Sequence, residues 1–513
     1  MSAKTIPSWE NLLSVILERR VVIDTDHHDA AGIEYKIRHV GWIFSVILAL
    51  IVCFRFGRSS STTKRAAIVT ALEAMATDLF GLRQFLCLAN LNLPTSMSAS
   101  SCVFYCGNFG IILMHHWWLT NKGKLSAMDC LEQMVNVTMM RGAQSGGVVT
   151  YTPSGEAKKD MKAVRTRVVN RKRTDLSKQI RSKVQRTFHP SETIQDTVLL
   201  AGHTRFATSS KASLDGTHPH RWTPGSFKRV YSWSTNQIER RWVENYITHN
   251  GDFDFYTIQE KTHDLESIQN WLSLMTETKT PAVVDSCAIA GMIDILRTKG
   301  CFGLAIRYAI CFGDSNRPTA RGTAHRDSVQ ECLNKANNDG VYPPTYNEFE
   351  SLGIVFETVL ESYMKENQSN LKDIENSITS RIALSRLIHK SIIGNHLHLI
   401  KPFAHHVDLS DVTELSKAKG YDLESFSHSD SRLFAFCMAT VNAFFDNDLF
   451  QATKEFLKNA KGSFGLSTSS TLDSKHQICL AARGQTMSIA FYPEKKLVCF
   501  GSEQAATKAG KHH

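Results

Sequence analysis

The chain has no CxxC pair, no regular cysteine spacing among its twelve cysteines, and only 12 prolines in 513 residues. The first two absences exclude the disulfide framework of a small secreted domain and the ligand spacing of a structural zinc site, and leave reduced thiols as the expectation. The scarcity of proline, beside 29 glycines, excludes collagen-like and proline-rich architectures. No internal repeat is visible, and no RNA-binding motif with interleaved aromatics accompanies the basic residues. Long apolar runs are also missing. The longest, Val40–Phe54, is fifteen residues, just short of the roughly 17–25 needed to span a bilayer.

What is present is the composition of a folded globular protein, 42% hydrophobic and 21% charged. The length predicts more than one unit. The formal charge of +10 is concentrated: between Glu156 and Thr187 twelve Lys/Arg face three acids. That run could touch nucleic acid or an acidic membrane surface, but a solvated loop and helix explains it more simply, and no nucleic-acid partner is expected. Arg38 and Arg55 flank the apolar run and could extend it by snorkelling. Residues 1–39 carry five bases and six acids, whereas Arg55, Arg58, Lys64 and Arg65 follow the run without an acid. The positive-inside rule then predicts a single-pass anchor over about 40–56, with everything C-terminal to it in the cytosol. A buried core helix or the apolar part of a targeting signal fits the same residues.

After a Ser/Thr linker at Ser59–Thr63, the spacing of Ile68, Leu72, Met75, Leu79, Leu82 and Phe85 predicts a helix within Ala66–Asn90. From Cys106 onward, short apolar runs punctuated by glycine (GNFGIILM, GGVVTY, TVLLAG, QICLAA, MSIAF, LVCF) read as buried strands, with a helix over about Ala127–Met140. The order predicts a layered α+β domain with two sheets. Residues 297–448 break the pattern and read as a mainly helical insertion. Within it, a capping box at Thr345 and Glu348 starts a helix with Phe349, Leu352, Phe356, Val359 and Tyr363 on one face, and Ile382–Ile393 and Leu433–Phe445 continue in the same style.

Four clusters carry possible chemistry: CGNFGI at Cys106–Ile111, GHTRFAT at Gly202–Thr208 with HPH at His218–His220, THNG at Thr248–Gly251, and PAVVDS at Pro281–Ser286. Singly, each has a plain structural explanation: core packing for Cys106, a surface cation for Arg205, a turn for Asn250–Gly251, a helix cap for Asp285. His396, His398, His405 and His406 crowd together, but no acid or cysteine with ligand spacing accompanies them, and no metal or other cofactor is expected.

Together the four clusters resemble the class-II glutamine amidotransferases, most nearly the glutaminase half of glucosamine-phosphate synthases. RGAQSGG at Arg141–Gly147, GSFGL at Gly462–Leu466, AARG at Ala481–Gly484 and GSEQAA at Gly501–Ala506 add further matches in the family's order. The resemblance covers about 106–296 and 449–506. It does not reach residues 1–105 or the helical insertion. It implies a domain over 106–510 with the four-layer αββα sandwich of N-terminal-nucleophile hydrolases, so that residues 1–105, which hold the expected membrane anchor, would form a propeptide region. It implies hydrolysis of glutamine to glutamate and ammonia through a thioester on Cys106, with the cysteine's own α-amine as base. Asn250 and the Gly251 backbone N–H would hold the oxyanion, and Arg205 the substrate carboxylate. Asp285 would take the substrate ammonium, Thr208 would lie in the binding loop, and His218 and His220 would support the site. Ammonia would pass to a synthase domain or a separate partner. Phe206, Gln144, Cys287 and Thr208-Ser209-Ser210 depart from the family pattern, which bears on the loop that closes over glutamine. The larger departure is position, since the nucleophile must become N-terminal by cleavage of Tyr105–Cys106. A scaffold that keeps the fold without catalysis, or an N-terminal-nucleophile hydrolase acting on other amides, would share part of this pattern.

Overall fold

Strand β1 (Gly107–Leu113) lies inside a six-stranded sheet of the computed structural model, which describes residues 106–154, 160–170, 175–186, 198–205, 213–258, 261–312, 342–404, 406–407 and 428–511. The expected anchor at 40–56, the rest of 1–105 with its linker and Ala66–Asn90 helix, Thr208 and His405 lie outside the described residues. No helix among the described residues is long and apolar enough to cross a membrane.

The chain is α+β, with antiparallel sheets. The first sheet is built from β1, β2 (Ser145–Ser154), β3 (Asp160–Val169), β4 (Val198–Arg205), β11 (Ser488–Tyr492) and β12 (Leu497–Gly501), in the order β11-β12-β1-β4-β2-β3. The second has the order β10-β9-β7-β8, from β7 (Asn245–Ile258), β8 (Lys261–Asp264), β9 (Ala460–Ser470) and β10 (Cys479–Arg483). A separate hairpin pairs β5 (Ser226–Ser232) with β6 (Gln237–Val243).

Period-two alternation decides what each strand faces. In β1, Phe109, Ile111 and Leu113 pack with α1 (Asn121–Thr138) and α2 (Leu176–Gln185), whereas Ile112 joins a core containing Val149, Leu199, Tyr246 and Leu480 from both sheets. Helix α1 begins earlier than its apolar spacing suggests, because the Thr120 side chain caps it by accepting from Gly123 N–H.

On the far side of the second sheet, α3 (Leu265–Met275), α4 (Asp285–Leu296) and α9 (Leu449–Asn459) bury Trp271, Ile289, Ile293 and Phe456 against Phe253, Phe464 and Leu466. The same core continues into α5 (Phe302–Phe312), α6 (Tyr346–Glu366), α7 (Ile378–Ser391) and α8 (His428–Asp446). The Thr345–Glu348 capping box opens α6. Phe302 of α5 stacks on Phe444 of α8 with ring centroids 4.0 Å apart. These helices therefore share one core with the second sheet.

Candidate active site

Cys106 stands half-buried just before β1. Gly107 pairs with Thr204 and Ser145 with Arg205, so Cys106, the end of β4 and the head of β2 meet at one end of the first sheet. The position of Gly107 tolerates no side chain, since a Cβ there would lie 2.7 Å from the Thr138 methyl. Thr138 is itself tied in, its carbonyl accepting from the Thr204 hydroxyl at 3.0 Å.

Asn108 joins the two sheets. It is fully buried, and its Nδ2 donates to the Gly465 carbonyl on β9 at 2.5 Å. Its backbone N–H donates to Ser502 Oγ at 3.1 Å, and its carbonyl accepts from Ser502 N–H at 2.9 Å. Gly465 pairs with Asn250, and Phe464 with Gly251. The strand that starts beside Cys106 is thus fastened directly opposite the Asn250–Gly251 step.

Along β7, Tyr246 belongs to the core between the sheets and Ile247 to the helical side, so alternation turns Asn250 toward the first sheet and His249 toward α4. Asn250 Nδ2 donates to Gln485 Oε1 at 3.3 Å, and Gln485 Nε2 donates to Ser463 Oγ at 3.2 Å. His249 is buried, with Nδ1 3.2 Å from Ser286 Oγ and 3.7 Å from Asp285 Oδ2.

Asp285 differs from the helix-cap alternative. Val284 is the N-cap of α4 and Asp285 is the first helical residue. Its Oδ1 accepts from Ser286 N–H at 2.7 Å and from Ser286 Oγ at 3.1 Å, and Oδ2 accepts from Phe253 N–H at 3.3 Å. The carboxylate at a helix N-terminus therefore also fixes the bulged part of β7. Arg205 Nη1 donates to the Gly216 carbonyl at 2.5 Å, which ties the end of β4 to the segment leading into His218–His220.

Behind these groups runs a row of imidazoles. The His203 and His218 rings are 4.0 Å apart by centroid, and those of His218 and His220 are 4.3 Å apart. His220 Nδ1 lies 3.3 Å from Cys287 Sγ. Burial, with the charges of His249 and Arg205 adding to it, lowers the His203 imidazole to about 3. Burial likewise drives His218 and His220 well below the ordinary value, with neighbouring histidines and arginines reinforcing it. All three are neutral at physiological pH. Cys287 is pushed up to about 12, by burial first and the Asp285 charge second, so it stays a thiol and makes a poor nucleophile.

The structure brings Cys106 and Arg205 to one end of the first sheet, and Asn250, Gly251 and Asp285 to the facing part of the second sheet and its helix. His218 and His220 are interior groups. Sequence reasoning passed over Asn108, His249 and Gln485. A buried asparagine in an otherwise apolar strand was the available signal for the first, whereas Gln485 becomes relevant only through its partner 235 positions away. No group of histidines, cysteines and acids that could hold a metal occurs among the described residues, and His396 and His398 sit 6.4 Å apart by ring centroid.

No family model matches the chain, and no curated protein matches it.

Proposed function

We propose that the domain beginning at Cys106 is a glutaminase of the class-II amidotransferase kind, releasing ammonia from glutamine for an acceptor synthase. The observation that carries this reading is the Asn108–Gly465 hydrogen bond. It ties the strand led by Cys106 to the β9 residue that pairs with Asn250, which supports reading Cys106 as the nucleophile and Asn250 and Gly251 as oxyanion donors. Helices on the outer faces of both sheets, with an apolar core between the sheets, support the finer reading of the fold as a four-layer αββα sandwich of N-terminal-nucleophile type.

In this reaction the Cys106 thiol attacks the glutamine side-chain carbonyl. Its proton passes to the cysteine's α-amine, freed by cleavage of Tyr105–Cys106, and from there to the departing nitrogen, which leaves as ammonia. An α-amine titrates near about 8, close to working pH. Asn250 Nδ2, exchanging its bond to Gln485, and the Gly251 N–H would stabilise the tetrahedral oxyanion. Arg205 would grip the substrate carboxylate as a fork, and Asp285 the ammonium. Thr208 belongs to the same proposed binding loop. Water then cleaves the thioester, giving glutamate and restoring the thiol. The buried imidazoles back the site without titrating. In the same reading, residues 40–56 would anchor the precursor in a membrane with this domain on the cytosolic side.

The test is release of ammonia from glutamine by the purified protein, with the mass of its mature polypeptide. The expected N-terminus is Cys106, and Cys106→Ala should abolish turnover. Asn250→Ala should lower kcat by about 100- to 1,000-fold, the usual cost of one oxyanion donor. Activity that survives Cys106→Ala would sink the proposal. A mature chain starting upstream of Cys106 yet active would remove the α-amine as base, and turnover of simple acyl amides in preference to glutamine would point to another amide substrate.

A further inference from the structure

Strand β3 departs from the rule its neighbours follow. Met161 and Ala163 join the core between the sheets, and Val168 packs on the helical side. Alternation then turns Arg165 and Arg167 into the space between the sheets, opposite Val149 and Gly147 of β2. Cations at core-facing positions are costly unless a counter-charge neutralises them. The partners of these two are carbonyls: Arg165 Nη1 donates to Pro219 at 3.4 Å, and Arg167 Nη1 to Leu214. The Arg165 guanidinium also lies 5.8 Å from the Tyr246 ring centroid. A third guanidinium nearby, Arg221, is already paired with Glu244. Burial, with the like charge of Arg167 next, brings Arg165 down to about 10, and Arg167 is lowered for the same leading reason, with Asp215 offsetting part of the effect.

These arginines open onto a cavity of about 690 Å³, within the roughly 300–1,000 Å³ typical of small-ligand sites. The β5–β6 hairpin supplies Phe227 and Trp242 to the same cavity. They are cross-strand partners packed edge to face at 5.1 Å, and are 55% and 36% exposed. Two flat apolar rings left open to solvent beside two cations whose hydrogen bonds go to carbonyls, with only the Asp215 charge acting on one of them from nearby, make a surface with two chemistries.

We infer that this cavity binds a small phosphomonoester carrying a flat ring, of the nucleoside monophosphate class, with Arg165 and Arg167 on the phosphate and Phe227 and Trp242 against the ring. A phosphomonoester carries about −1.5 to −2 charges at neutral pH, which matches two guanidiniums where a carboxylate would leave one over. Aromatic faces accept either a purine or a pyrimidine. The site lies on β3, three strands across the sheet from the strand that Cys106 leads, and its binding test does not depend on the reaction assigned there.

Calorimetric titration of the full chain with AMP, UMP, inorganic phosphate and adenosine tests it, with tryptophan fluorescence as a second readout. At least one mononucleotide should bind saturably, at least tenfold more tightly than phosphate or adenosine. Arg165→Gln/Arg167→Gln should weaken it at least tenfold with an unchanged melting temperature. Phe227→Ala, at an exposed position, should weaken the mononucleotide while leaving phosphate binding as it was, and it keeps the test alive if the double variant misfolds. Raising salt should weaken binding in the parent protein. Absence of saturable binding by both nucleotides, equal affinity for phosphate, or a double variant that binds like the parent would overturn the inference.

Discussion

At Gly251 the backbone adopts φ of +130°, and a Cβ there would lie 2.0 Å from the Ser463 carbonyl oxygen. Gly251→Ala meets both an unfavourable dihedral and a backbone clash, so it should cost about 2–4 kcal/mol and lower the melting temperature measurably. An unchanged melting temperature would mean that β7 and β9 approach each other less closely here. Asn108 has the opposite requirement: removing its amide leaves the Gly465 carbonyl without its cross-sheet donor, a loss of about 1–3 kcal/mol. If Asn108 positions the site, Asn108→Ala should lower kcat more than it raises KM. Equal loss of stability with full turnover would reduce it to a structural bond. The imidazole row gives a third expectation. His203, His218 and His220 have folded values below the ordinary one, so below about pH 6.5 the unfolded chain binds more protons than the native protein. Their contribution is complete above that pH and is lost as pH falls toward the folded values, about 3 for His203. Chemical denaturation between pH 7.5 and 5 should show stability falling with acid. A flat profile would place these rings in contact with solvent.

Arg297 illustrates how one element is held to another. At the end of α4, its Nε and Nη2 donate to both carboxylate oxygens of Asp473, beyond β9, at 2.8 and 2.9 Å. Both side chains are largely buried, so Arg297→Met strands a carboxylate and should destabilise by about 3–5 kcal/mol, with Arg297→Lys recovering little because a point charge cannot form the fork. Denaturant midpoints of the two variants would check this. Elements with apolar runs were legible in the sequence: β1, β2, β4, β10, β11 and β12 all coincide with such runs. β3 was not, because arginines occupy two of its inward positions and the segment reads as a basic, solvated stretch. The β5–β6 hairpin was missed for a related reason: SFKRVYS and QIERRWV are mostly polar, and their turn relies on Asn236 at φ 53° rather than on glycine. In the site, residue types inside contiguous motifs could be read, whereas Asn108 and Gln485 take their meaning from residues 357 and 235 positions away.

On the scale of the whole molecule, the described helices between 297 and 448 share one continuous apolar core with the second sheet and its helices. Phe302, Phe356, Phe436 and Phe444 lie in the same core as Trp271, Ile293 and Phe464. The described residues from Cys106 onward should therefore melt in one cooperative calorimetric transition, and excision of 297–448 should yield insoluble protein by leaving that apolar surface open. Two resolved transitions within this part of the chain would show that the helices are a separable unit.

Strand β3 ends the six-stranded sheet, and a sheet edge exposes unpaired backbone groups that can recruit a strand from another molecule. Inward-pointing charges are among the devices that make such an edge a poor template. Arg165 and Arg167 occupy such positions, with exposed Lys162 before them in the same strand. The two side chains assigned to a phosphate therefore also make this edge a poor template for a strand from another molecule.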